Sequence, residues 1–396
     1  VKVSQFSAPQ TKEKNIITDI RRLWMFLIIM LVSAVPLAFA LINNHSSSNQ
    51  QAALGNDTVL VWFSAFIGYF IVGFGLMYGS TLSGWIGSVS YPWTNSETAE
   101  SLVPGILYIE FFLFQSSFAA LFALLVSFIL GKRLSPLSHV MLALFAGMLI
   151  FPVLGHWIWA GNFIPGNQGW LESQGFIDNA GATIIHSAAA WFALVVLWQL
   201  GDGAQTRQQT TVEISIYPGI SLFLLWLGLI GFSAGMLPIS SEMVTVTILN
   251  ITLATGSAGM TLLLYHALFN KKSNTTPMVL CGFVSGLVAI SAASTMVTPF
   301  EAILIGVIAA MVQHLSFNIL RKVVLRKPEQ TRAAVLIAVH GFAGVWGTLS
   351  VGVFGTEGEF STPDFVQLTT QGMGISVVFV YSAAFAWVIM LLFNFY

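Results

Sequence analysis

The chain has 396 residues, of which 56% are hydrophobic and only 8% charged, and its formal net charge is −1. Soluble domains carry roughly 25% charged residues, so this composition excludes two or three water-soluble domains and fits a chain whose solvent is lipid. The near-neutral balance argues against a nucleic-acid partner. The single cysteine, Cys281, sits in an apolar run and leaves no disulfide framework and no cysteine metal site.

A bilayer core of about 30 Å takes roughly 20 apolar residues of helix. In chain order that rule predicts eleven spans, at 23–42, 58–81, 104–130, 137–160, 179–200, 215–235, 244–269, 277–296, 300–320, 333–354 and 370–395. The first apolar run follows a basic stretch, as in a signal peptide, but it is too long for a signal core and no small-residue cleavage site follows. It is therefore read as the first span. An upstream piece is expected before Val1, which is not a Met. Residues 1–22 read as an N-terminal extension and 23–396 as one membrane domain, with halves at about 23–200 and 215–354 and a final helix at 370–395. The fold class is an all-α polytopic membrane protein.

Basic residues set the orientation. Lys132, Arg133, Arg207, Lys271, Lys272, Arg321, Lys322, Arg326, Lys327 and Arg332 fall in alternate loops, which are predicted cytoplasmic. An odd number of spans then places Tyr396 inside and Val1 outside. Lys2, Lys12, Lys14, Arg21 and Arg22 stand against this rule, so the first helix is the weakest part of the topology.

Two segments resemble each other. Ile184-Ile185-His186-Ser187-Ala188-Ala189-Ala190-Trp191 lies in the fifth span, and Ala338-Val339-His340-Gly341-Phe342-Ala343-Gly344-Val345-Trp346 lies in the tenth. Spans 1–5 and 6–10 would run in opposite directions, and inverted repeats place substrate sites where the halves meet. Taken singly, each histidine is as well read as a buried structural residue. As a pair among small residues that permit close helix approach, the two could meet and satisfy each other, titrating as a unit. Phe114 and Phe118 are four apart and share a helix face. With Trp159 and Phe232 they could offer cation–π faces, or be ordinary packing aromatics. Asp178 stands eight residues before His186, suited to a helix N-cap or to indirect stabilisation of a nearby cation.

Several motifs together resemble the ammonium transporter family (Amt/Mep/Rh). Gly155-His156-Trp157-Ile158-Trp159-Ala160-Gly161 and Gly175 to His186 look like its signature. Val339 to Thr348 resembles its second histidine motif, Phe114-Gln115-Ser116-Ser117-Phe118-Ala119 its gate segment, and Gly231-Phe232-Ser233-Ala234-Gly235 a fourth. Pro36 stands at the family's proline position, and Trp159 favours the Amt branch over the Rhesus-like one. The resemblance implies eleven helices in a pseudo-twofold arrangement, a homotrimer in the plasma (inner) membrane, and one pore per subunit without a cofactor or metal. It implies that Phe114 and Trp159 line an outer ammonium recruitment site supported indirectly by Asp178. Phe118 and Phe232 would be the stacked rings closing the pore, and His186 and His340 the twin histidines of an apolar path for ammonium or ammonia. The implied activity is transport, not enzymatic catalysis.

The sequence also departs from the family. Met236 stands where the family has a serine at the recruitment site, which would replace an oxygen by a weak thioether acceptor. Ser233 stands where asparagine is common. Glu110, one turn outward from Phe114, is either a headgroup-level or interface carboxylate or a substitute attraction for cations. The chain stops at Tyr396 without the family's cytoplasmic tail, which makes a PII-type regulator doubtful. That feature also carries the alternative function: an ammonium sensor whose cytoplasmic kinase or cyclase module follows Tyr396.

Overall fold

The computed structural model describes residues 8–42, 48–88, 106–201, 218–235, 237–269, 276–354 and 363–393. Among these, helical spans follow in chain order: α1 (Ile16–Ile42), α2 (Asp57–Tyr78), α3 (Tyr108–Arg133), α4 (Pro136–Phe163), α5 (Ala182–Leu200), α6 (Pro218–Ala234), α7 (Glu242–Phe269), α8 (Thr276–Ile290), α9 (Pro299–Val323), α10 (Pro328–Phe354) and α11 (Phe365–Leu392). Nine are long and apolar enough to cross a membrane, and α6 and α8 are shorter apolar helices. The eleven elements match the predicted spans in order and number, while several ends differ for local chemical reasons.

A helix runs unbroken from Ala8 to Ser33, past position 23 where the first span was expected to begin, and resumes at Val35–Ile42. The break is set by Pro36, which has no amide for the carbonyl four residues back and whose ring crowds that turn. Leu37 N bonds Ala34 O at 3.1 Å instead, in a tighter turn. At its far end α2 stops at Tyr78 rather than 81. The chain enters a hairpin of β1 (Thr81–Leu82) and β2 (Ile86–Gly87), antiparallel with Leu82 opposite Ile86. Ser83 (φ 55°) and Gly84 (φ 78°) supply the paired left-handed turn that suits strand twist.

Span α8 was expected to reach 296 and ends at Ile290, because the small polar run that follows leaves the helix as turns. Its freed carbonyls find partners. Asn250 of α7 donates to Ser294 O (3.0 Å) and Val297 O (2.7 Å), and the backbone ahead of α5 donates from Asn179 N to Ala292 O (3.2 Å) and Ala180 N to Ser291 O (2.8 Å). These bonds satisfy backbone groups that lipid cannot, and they join the first half to the second.

Among the described residues, four wide π turns interrupt the helices. Tyr69–Gly73 in α2 faces Ala146–Ile150 in α4, and Ala182–Ser187 in α5 faces Ala338–Phe342 in α10. Such turns release helix carbonyls and re-aim side chains. Span α3 is the hub, with 89% of its apolar window buried, against 28% for α11. Even so, α11 ties the halves together through Gln371, whose amide donates to Ile177 O (2.6 Å) and Thr348 O (3.1 Å) and accepts from Ile177 N (3.0 Å).

Candidate functional site

The π turns of α5 and α10 bring the two histidines together. His186 Nδ1 and His340 Nδ1 lie 3.2 Å apart, with ring planes only 15° from parallel. Both rings are buried, at 9% and 4% exposure. The close crossing needs small residues: Ser187 Oγ donates to Gly341 O (3.0 Å) and to Ala182 O (3.1 Å), Thr183 and Thr348 share a 2.5 Å hydroxyl bond, and a side chain on Gly344 would run into Ala182 O and Ser187 Oγ. A bond between two Nδ1 atoms fixes the proton count: one nitrogen must donate and the other accept. A neutral pair then leaves one Nε2 as an acceptor and the other as a donor.

A column of aromatic rings closes one end. Phe118 sits at its centre, 4.5 Å from Phe232, 5.0 Å from Phe114 at 89°, and 5.1 Å from Trp159 at 68°, measured between ring centroids. Phe114 and Phe118 come from one face of α3, Trp159 from the last turns of α4 and Phe232 from the last turn of α6. Edge-to-face packing of this kind suits the ring quadrupoles. Trp159 is held by its indole N–H, which donates to Asp178 O at 2.5 Å. Met236 lies outside the described residues.

Asp178 precedes α5 and spends both oxygens on its first turn. Oδ1 accepts from Gly181 N (3.1 Å) and Ala182 N (2.8 Å), and Oδ2 from Thr183 N (2.9 Å) and Ile184 N (2.8 Å). These are the four amides a helix start leaves without partners, and Gly181 at φ 101° makes the sharp entry that aims them at one carboxylate. Burial pushes the Asp178 carboxyl up to about 6, and the four amides pull against that rise by favouring the charged form. The carboxylate therefore organises the head of α5 and, through its carbonyl, the Trp159 ring.

On the other side of the histidines lies a cavity of about 190 Å³. Its walls come from α1, α3, α6, α8 and α10 and are apolar, chiefly Leu, Val and Phe. Phe232, His186 and His340 mark one end, and Arg332 is its charged lining residue. Arg332, expected in a loop, sits in the opening turns of α10, with its guanidinium 4.5 Å over the Phe128 ring. Arg321 and Lys322 likewise end α9 rather than a loop.

Two further residues of the motif region have fixed partners. His156 bonds Met77 O through Nδ1 and Thr81 Oγ1 through Nε2, both at 2.8 Å, so it anchors the hairpin and is structural. Glu110 bonds Arg22 Nε with one oxygen and Leu107 N with the other, each at 2.9 Å. Both oxygens are engaged, so Glu110 ties Arg22 to the head of α3. No short-range signal marks that pair, since Arg22 is 88 residues away.

Comparison with known proteins agrees with this geometry. The family model described as Ammonium Transporter Family matches residues 23–396. The chain is 27% identical over 395 residues to the ammonium transporter Amt2 of Archaeoglobus fulgidus, covering 96% of this chain and 82% of the relative. It is 28% identical over 355 residues to an ammonium transporter of Aquifex aeolicus, covering 85% and 78%. Among solved structures, a sensor Amt protein superposes with a TM-score of 0.83 at 30% identity, covering 95% of this chain and 93% of that one. Candida albicans Mep2 shares the fold with a TM-score of 0.78 at 22% identity, covering 94% and 83%. With the family model spanning nearly the whole sequence around a buried histidine pair, the chain belongs to the ammonium transporter family.

Proposed function

We propose that this protein binds ammonium at the aromatic column and carries it across the membrane past His186 and His340. The observation that carries the reading is the shared Nδ1–Nδ1 bond, buried beneath Phe118 and Phe232 and above an apolar cavity. Phe114 and Trp159 would form the recruitment site, with Met236 at the family's serine position and Asp178 acting indirectly. Ring faces attract a cation by about 0.5–2 kcal/mol each. Phe118 and Phe232 would exclude hydrated ions. Moving a charge through the apolar cavity is costly, so ammonium passes its proton to an imidazole nitrogen and crosses as ammonia. The donor and acceptor that a neutral histidine pair presents can bond ammonia and relay that proton, which potassium, lacking N–H, cannot exploit.

The same reading places the protein in the plasma (inner) membrane as a homotrimer. The basic ends of α3, α9 and α10 would face the cytoplasm, with the N-terminus outside and the C-terminus inside. Arg22 and Glu110 then stand on the outer face with the aromatic column. The likeness to a solved sensor Amt protein, over 93% of its length, supports a second reading in which ammonium binding shifts α11 and signals to a cytoplasmic module. Ammonium-evoked current in vesicles containing the purified protein decides between them. Current that is lost in His186→Ala supports transport; ammonium binding without current supports sensing and rejects transport.

A further inference from the structure

A second histidine pair lies away from the aromatic column and its cavity. His266, in the last turn of α7, and His314, within α9, have ring centroids 6.0 Å apart and planes at 83°. The two helices pack against each other, and neither lines the cavity beside His186 and His340. His266 is only 4% exposed, yet neither of its ring nitrogens has a hydrogen-bond partner among the described residues, and nor has Nδ1 of His314. Unpaired nitrogens within membrane spans are costly, and intramembrane histidines are rarely idle. By contrast, His139 and His156 each have both nitrogens bonded.

A metal ion set in line between two imidazole nitrogens, about 2 Å from each, holds the ring centroids about 6 Å apart. Calcium and magnesium want oxygen donors. Zinc takes four ligands, and among the described residues no group of three or more His, Cys, Asp or Glu could hold a metal ion. Two neutral imidazoles suit copper(I), a closed-shell ion that two donors in line can satisfy and that brings a single charge into the membrane. The Tyr265 ring, with its centroid 4.5 Å from that of His314 and 5.4 Å from that of His266, offers a π surface to that charge. Asn318 lies 3.1 Å from Nε2 of His314. With its amide oxygen turned to that nitrogen it accepts the Nε2 proton and leaves Nδ1 unprotonated, as a ligand must be. We propose that His266 and His314 form a copper(I) site joining α7 to α9, with Asn318 as its positioning residue. The site is separate from ammonium binding and holds under either the transport or the sensing reading.

The test titrates copper(I), kept reduced by ascorbate without oxygen, into the purified protein against a chromophoric copper(I) chelator. Cys281→Ser is the background, because a thiol also takes copper(I). That background should bind one copper per chain, with nitrogen and no sulfur ligands in its X-ray absorption spectrum. His266→Ala and His314→Ala should each weaken binding by about a hundredfold or more, and Asn318→Leu by roughly tenfold to a hundredfold. Should an alanine variant fail to fold, His266→Phe or His314→Phe keeps a ring in place and serves instead. Copper(I) should raise the melting temperature of the background and not of the histidine variants. Binding that survives the loss of either histidine overturns the proposal, as do sulfur ligands in the spectrum or tighter binding of zinc(II) than of copper(I). A background that takes no copper overturns it too, since the rings would then be met by water or by nothing.

Discussion

Asp178 and Arg332 stand at matched positions ahead of α5 and within the start of α10, yet they are built into the molecule in different ways. Asp178 is locked by four backbone amides and is 3% exposed. Arg332 lies over the Phe128 ring and lines the cavity. A repeat can therefore keep position while letting charge diverge: at one end the charge is consumed in making the helix start, and at the other a residue of opposite charge lines the cavity. Removing each charge should separate these two roles. Asp178→Ala leaves four buried amides without partners, at about 1–3 kcal/mol for an unsatisfied group, so a loss of about 3 kcal/mol or more is expected. It should appear as a large fall in the detergent melting temperature. Arg332→Ala loses a contact with Phe128 worth about 1 kcal/mol and should cost less than the Asp178 variant. Equal losses in the two variants would refute the distinction.

The histidines offer the next largest effect, this time on function. Because one Nδ1 donates to the other, the pair acts as one unit, and either His186→Ala or His340→Ala strips the remaining ring of its partner. Leaving the surviving ring without its partner costs about 1–3 kcal/mol, and placed on the transport barrier that cost would cut ammonium flux by roughly fivefold to a hundredfold. The double variant should fall little further, since members of a unit do not add. Additive losses, read as flux in vesicles, would mean the rings act separately.

What the sequence revealed follows from the range of the interactions involved. Apolar run lengths gave the spans in order, and an internal likeness pointed to His186 and His340 before any contact was known. The i, i+4 spacing put Phe114 and Phe118 on one face, and the structure sets their rings 5.0 Å apart. The π turns that let the histidines meet carry no residue signal, because one extra residue per turn is settled by the neighbouring helix. The early end of α8 was missed because Ser291 to Thr295 is small enough to pass as membrane helix; Asn250, from another span, stabilises the break. Arg332 was read as a loop charge because it borders an apolar run, and hydropathy does not tell which way a side chain points. Nor could the sequence separate His156 from the paired histidines His186 and His340. All three are buried in motif segments, and only the partners of His156, Met77 O and Thr81 Oγ1, show it to be fixed at both nitrogens.

The crossing of α5 and α10 gives a smaller test of the repeat. Four residues past each histidine stand Ala190 and Gly344. A methyl on Gly344 would press on Ala182 O and Ser187 Oγ, so Gly344→Ala should cost about 2 kcal/mol through overpacking. Ala190→Gly relieves nothing and should cost about 1 kcal/mol of helix propensity. Thermal unfolding of the two variants should rank them in that order, and the reverse order would mean that the helices can part without loss.

The smallest expected effect lies at Glu110, on the Asp178 side of the molecule. Its partner Arg22 is 40% exposed, and exposed ion pairs contribute about 0–1 kcal/mol. Glu110→Gln keeps an acceptor oxygen for Leu107 N and loses only the charge. Stability should fall by about 1 kcal/mol or less, and ammonium affinity should not change, because both carboxylate oxygens are already engaged. A clear drop in affinity, measured by calorimetry on the purified protein, would show that the Arg22 contact opens and that this carboxylate draws cations to the pore. Acidic charge at the aromatic end would then act on ammonium directly through Glu110, and no longer only through the helix start that Asp178 organises.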